Sequence, residues 1–96
     1  MARRPGKTKA KRIRQANSIA KDLKRLLQLE ACDVRMPKGQ DIVYFEMDGV
    51  LNATCPIWKS ALSEHHLVLK TVIELYMHNI RLAMVEEQAR TANGSH

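Results

Sequence analysis

Between Lys7 and Leu27 two rows of residues interleave with a helical period, and this limits what the chain can become. Apolar side chains fall at Ile13, Ala16, Ala20, Leu23 and Leu27, a 3-4-3-4 spacing flanked by Ile19 and Leu26. Cations fall at Lys7, Lys11, Arg14, Lys21 and Arg25, with Ser18 filling the gap in their row. At about 100° per residue the cationic row centres opposite the apolar stripe. The pattern predicts a helix from about Thr8 to about Ala31 with one face buried and a cationic ridge on the other. A stripe of two heptads is short for an independent coiled coil, so this helix has to dock on the rest of the chain.

The charge is divided along the chain. Residues 1–25 hold ten Lys/Arg against one acid, Asp22, a net +9, and the other residues hold six against nine acids, a net −3. A cationic segment on a mildly acidic body points to a polyanionic partner. Solvated helix faces usually mix signs so that residues four apart can pair, and up to Gln28 this one has Asp22 alone. Besides the ridge, Arg3 and Arg4 precede it on a Pro- and Gly-containing arm (residues 1–7) expected to be disordered when unbound, and Arg12 and Lys24 lie beside it. Arg3, Arg4, Lys7, Lys11, Arg12, Arg14, Lys21, Lys24 and Arg25 are therefore the candidate phosphate contacts. Gln15, Asn17 and Ser18 stand among them, as base-reading or as plain solvent-facing residues.

The remainder reads as one mostly helical unit over residues 8–90, followed by a flexible tail at 91–96. Aromatic residues make up only 4% against 45% apolar overall, which favours Leu, Ile, Met and Ala packing between helices over a sheet-rich core. Residues 32–41 read as a loop punctuated by Pro37 and Gly39. Two β-prone runs, Ile42–Met47 and Val50–Cys55, flank Asp48-Gly49 and predict a hairpin with a type I′ turn, an irregular loop being its rival. Pro56 suits the first turn of a short helix over Pro56–Leu62 that carries Trp58 inward, and Ser63 is a candidate N-cap for a helix running to about Arg90.

That last helix carries Leu69, Val72, Ile73, Tyr76, Met77, Ile80 and Met84, an apolar surface wider than one stripe. In a chain of 96 residues a second copy is the expected cover, so these residues are the candidate oligomer interface. The four aromatics, Tyr44, Phe45, Trp58 and Tyr76, are either stacking platforms for bases or core packing, with packing the better fit to their distance from the basic segment.

Catalysis has no signature here: there is no nucleophile elbow, phosphate-binding glycine loop or HExxH. His65, His66 and His78 lack the further ligands that a zinc site needs, so no metal or other cofactor is expected. Cys32 and Cys55 form no CxxC pair and read as structural thiols of a reducing, cytoplasmic compartment. Lys70, Glu74, His78 and Arg81 interrupt the longest apolar stretch, which is not a membrane span. No small-molecule substrate is implied.

In the second half the order of features resembles a known family. Trp58 leads a short helix, Ser63-Glu64 makes a polar break, and a long helix follows with Leu75-Tyr76 in its middle and Ala83 and Glu87 further on. Over roughly residues 56–90 this resembles the helical hairpin of small terminase subunits of tailed phages. The resemblance implies a ring that holds viral DNA for packaging, with the basic N-terminal segment on the DNA. The hairpin at 42–55 departs from that pattern, as does a single basic helix in place of a helix-turn-helix.

The sequence thus leads to an α-rich fold: a basic amphipathic helix, a small β-hairpin or loop, and a C-terminal helical hairpin that assembles. The expected function is non-catalytic nucleic-acid binding, double-stranded DNA before RNA. An adaptor whose basic helix docks on an acidic protein is the alternative.

Overall fold

The structure, a computed structural model, describes residues 5–94, with side chains from Lys9 to Thr91. Its elements run α1 (Pro5–Leu26), β1 (Ala31–Arg35), β2 (Ile42–Asp48), β3 (Asn52–Trp58), a 3-10 turn (Lys59–Ser63) and α2 (His65–Gly94). The three strands form an antiparallel meander in the order β1-β2-β3. The fold is therefore mixed α/β, where a mostly α fold was expected.

Alternation along the strands explains the layering. Val43, Phe45 and Met47 of β2 are buried, as is Cys55 of β3, while Asp33, Arg35, Asp48, Thr54 and Trp58 are exposed. Side chains two apart in a strand share a face, so one face of the sheet is covered and the other is open. Ala16, Ile19, Ala20 and Leu23 of α1 and Val68, Leu69, Val72 and Tyr76 of α2 complete the core on the covered face. The buried line on α1 runs through Ile19 and not through Ile13, which is 38% exposed. The small Ala16 and Ala20 let the helix lie close to its neighbours.

Helix α1 stops at Leu26, earlier than expected, and its end has a recognisable lock. Gln28 adopts a left-handed φ of 52°, and the N–H of Leu29 donates to the Lys24 carbonyl at 2.9 Å. That is the six-to-one bond of a Schellman cap, with Gln28 where glycine is commonest. The chain then reverses into β1, a strand inside the stretch expected to be a loop. Cys32 and Val34 alternate inward with Asp33 and Arg35 outward.

The hairpin forms, pairing Ile42 with Trp58 through Asp48 with Asn52. Its turn is not type I′: Gly49, Val50 and Leu51 connect the strands and none has a positive φ. Gly49 is needed for room instead, since a Cβ there would lie 2.8 Å from both Leu29 Cδ2 and the Tyr76 hydroxyl. That hydroxyl donates to the Leu51 carbonyl at 2.9 Å and accepts the Leu51 N–H at 3.1 Å, so α2 clamps the turn.

Four further expectations are corrected in the second half. Pro56–Trp58 ends β3, so the short leading helix of a helical hairpin is replaced by strand and 3-10 turn. Pro56 is tolerated because β3 is an edge strand. Trp58 points away from the core and is 63% exposed. Ser63 closes the 3-10 turn, and the Glu64 carbonyl accepts the first bond of α2 from Val68 N–H at 3.0 Å. The tail expected from Thr91 is helical through Gly94.

Helix α2 outruns the body. At about 1.5 Å per residue its 30 residues span about 45 Å, and the molecule measures 73 Å along its longest axis against 25 and 20 Å across. Leu69, Val72 and Tyr76, expected at a subunit interface, are used inside the chain's own core, with Ile73 and Ile80 half-buried against it. Met77 and Met84 stay exposed, with Leu82 and Val85. Among the described residues no helix is long and apolar enough to cross a membrane.

Candidate nucleic-acid interface

Docking α1 through Ala16, Ile19, Ala20 and Leu23 fixes where its cations go. Lys11, Arg14, Lys21, Lys24 and Arg25 are exposed and Arg12 is half-buried at the edge of the packed face. Arg3 and Arg4 lie outside the described residues, and Lys7 is described as helical backbone only. The ridge expected from the sequence is thus presented to solvent along α1.

The fold adds a second group of cations that the sequence does not join. Lys9 and Arg12 of α1, Lys38 of the β1–β2 loop and Lys59 of the 3-10 turn line one hollow of about 290 Å³, with Met36, Pro37 and Gly39. Two local devices bring Lys38 and Lys59 there. Pro37 to Gln40 make a turn closed by the Gln40 N–H on the Pro37 carbonyl at 3.3 Å, with Gly39 at φ 77°. That φ is the one a type II turn requires at its third residue, and Lys38 takes the corner. The Lys59 N–H donates to the Asp41 carbonyl at 2.8 Å, tying the end of β3 to the same loop. A neighbouring groove of about 200 Å³ lies between Lys11, Arg12, Gln15, Lys59, Ser60 and Ser63. Neither hollow is lined by a carboxylate, and among the described residues none of these cations is in an ion pair.

The one acid of α1 is occupied elsewhere. Asp22 accepts from His65 Nε2 at 2.7 Å, at the start of α2, and lies 3.5 Å from Arg25. The His65 hydrogen bond, with Arg25 helping, holds the Asp22 carboxyl below its ordinary range against a smaller opposing effect of burial. Three other acids gather far from the hollow. Asp33, Glu46 and Asp48 sit with Asn52 and Thr54 on the open sheet face, at the end away from Ile42 and Trp58. Cations thus cluster on α1, the β1–β2 loop and the 3-10 turn, three acids lie at the far end of the sheet, and Asp41 and Glu64, next to the cationic end in the chain, line neither hollow.

The aromatics divide as well. Phe45 and Tyr76 are core, and Tyr44 is half-buried with the Arg35 guanidinium 4.4 Å from its ring centroid. Arg35 in turn pairs with Glu46 at 2.9 Å. Trp58 stands free at the cationic end of the sheet, one residue from Lys59. Of the residues now in view, Lys9 was passed over because it falls off the ridge's period. Lys38 and Lys59 are isolated cations in sequence, and only the turn at Pro37–Gln40 and the Lys59–Asp41 backbone bond bring them to α1.

Burial, with Asp33 adding to it, pushes the Cys32 thiol up to about 11, and burial raises that of Cys55. Both stay protonated near neutral pH, a poor state for a nucleophile or a metal ligand. Among the described residues no three His, Cys, Asp or Glu side chains are placed so that they could hold a metal ion. His66 and His78 are exposed. No protein-family model, curated protein or solved structure matches the chain.

Proposed function

We propose that this is a non-catalytic nucleic-acid-binding protein that holds the phosphate backbone against α1 and the adjoining cationic hollow. The observation that carries the proposal is the convergence of Lys9, Arg12, Lys38 and Lys59, from three separate segments, on one concave surface without a carboxylate. A solvated charged face has no reason to be concave or to recruit cations from distant parts of the chain. Phosphates are bound by several cations at spacings that follow a backbone. The ridge of Lys11, Arg14, Lys21 and Arg25 stands on the opposite side of α1, and Lys11 links it to the hollow through the groove it shares with Arg12 and Lys59. DNA is the first polymer to test, and under the resemblance to small terminases it would be viral DNA.

The proposal includes self-association through the projecting part of α2, with a second copy as the occupant. Ile73, Met77, Ile80 and Met84 repeat at 4-3-4 spacing. An antiparallel pair centred between His78 and Asn79 sets Met77 against the partner's Ile80 and brings Glu74 near the partner's Arg81, twice by symmetry. Joining two cationic surfaces raises avidity without a new contact in either copy.

The test is a gel shift with random-sequence DNA over a salt series, using wild type and a variant with Lys11, Arg14, Lys21 and Arg25 changed to Ala. Binding that weakens linearly with log salt, and a shallower slope in the variant, supports phosphate contact. Absence of any shift near physiological salt, with binding to an acidic protein instead, favours the adaptor.

A further inference from the structure

We infer that the bound polymer is a single strand and that one of its unpaired bases stacks on Trp58 while its phosphates occupy the hollow of Lys9, Arg12, Lys38 and Lys59. Tryptophan is largely buried in most proteins, yet Trp58 is 63% exposed at the end of an edge strand. Its ring belongs to a shallow apolar hollow of about 170 Å³ formed with Ile42, Pro56 and Ile57, so the side chain rests on a fixed floor. Strand register pairs Trp58 with Ile42, at the sheet end where the β1–β2 loop and Lys59 also lie. Trp58 and Lys59 are neighbours in the chain where β3 passes into the 3-10 turn, so a strand that crosses this end of the sheet can stack one base on the indole and carry a following phosphate to the hollow.

The chemistry selects for unpaired bases. In a duplex the faces of the bases are covered by their neighbours and only edges reach the grooves, whereas a single strand offers free π-faces to an aromatic ring. Tyr44 is not an equivalent platform, because the Arg35 guanidinium lies over its ring at 4.4 Å. The acids at the other end of the open sheet face, Asp33, Glu46 and Asp48, repel the backbone from that end and leave the strand at Trp58. This inference rests on the phosphate-binding proposal above, and it adds the strandedness and the stacking residue.

Trp58 is the only tryptophan in the chain, so its fluorescence reports on one site. The experiment titrates the full chain with an oligothymidylate and with a duplex of equal length at one salt concentration. Tryptophan emission is followed together with the affinities of Trp58→Ala and Trp58→Phe. The expected result is quenching by the single strand. Trp58→Ala should lose roughly 5- to 100-fold in single-strand affinity, and Trp58→Phe should keep most of it. Duplex should bind more weakly and be indifferent to the substitution. Trp58 packs on the surface, so both variants should keep wild-type circular dichroism. Single-strand binding with neither quenching nor an effect of Trp58→Ala overturns the stacking site and leaves the phosphate proposal standing. Equal quenching and equal loss with duplex overturn the single-strand preference. A change in subunit number in Trp58→Ala makes the patch an interface between copies and overturns the inference. Failure of both polymers to bind overturns both proposals.

Discussion

Helices α1 and α2 lie against the same face of the sheet, but they use their residues in opposite ways. In α1 the buried residues form one line, Ala16, Ile19, Ala20 and Leu23, and the exposed cations stand on the rest of the circumference. In α2 the apolar residues are spread around the axis. The first three turns bury Val68, Leu69, Val72 and Tyr76, and the later turns leave Leu82, Met84 and Val85 exposed. The difference lies in support. The body lies along the middle of α1, so its apolar positions from Ala16 to Leu23 have a core to enter, while Ile13 nearer its start is 38% exposed. It lies along only part of α2, so position along that helix, as well as angle around it, decides burial. For α1 periodicity alone is informative, and for α2 it is not.

The sharpest way to break this comparison is to place the same kind of charge on each helix. Leu23→Asp puts a carboxylate where the side chain is fully buried, at a cost of several kcal/mol, and should unfold the chain. Met84→Glu replaces an exposed side chain and should leave the melting temperature of the isolated chain within a few degrees of wild type while lowering the mass in solution. Thermal melts and sedimentation of both variants give the answer. A stable Leu23→Asp would mean that α1 is not docked as described.

The next effect concerns the contact by which α2 reaches the hairpin. Tyr76→Phe removes a hydroxyl that serves both the N–H and the carbonyl of Leu51 and should destabilise by about 1–3 kcal/mol. Denaturant unfolding measures it, and hydrogen exchange at Leu51 should speed up. An unchanged midpoint would show that the turn holds without α2.

A smaller effect joins the two helices. Asp22 is held below its ordinary carboxyl value of 3.8, first by the His65 hydrogen bond. A carboxyl whose folded value is depressed stabilises the fold above its unfolded value, and that stability is lost as pH falls through the folded value. Wild type should therefore lose melting temperature below about pH 4 more steeply than His65→Ala, which has already lost the partner. Parallel curves would dismiss the tie. Smallest of all, Gln28→Gly should stabilise the chain by up to about 1 kcal/mol, because glycine adopts the left-handed cap without strain.

Those residues also mark how far the sequence could be followed. The ridge on α1 was legible because twenty residues repeat one period, and the hairpin was legible because two β-prone runs flank a turn pair. β1 was not, since Ala31–Arg35 is five residues with two charges, too short for alternation to stand out. Pro56 was misread because proline serves the first turn of a helix and an edge strand alike, and with it Trp58 was turned inward. Three of the four cations of the hollow, Lys9, Lys38 and Lys59, shared that fate. Arg12 was in view, but Lys38 and Lys59 join it only through a type II turn and a single backbone hydrogen bond to Asp41, which no spacing in the sequence encodes.

The central claim is that the fold, and not the basic helix alone, makes the phosphate-binding surface. The most direct measurement is the slope of log affinity against log salt for wild type and for a variant with Lys9, Lys38 and Lys59 changed to Ala. All three side chains lie at the rim of the hollow and none is part of the core, so the variant should fold as wild type does. Each phosphate contact contributes roughly 0.7 to 0.9 to that slope, and the account expects the variant to lose about two units with weaker binding throughout. An unchanged slope and affinity would contradict it and return the binding to α1 alone.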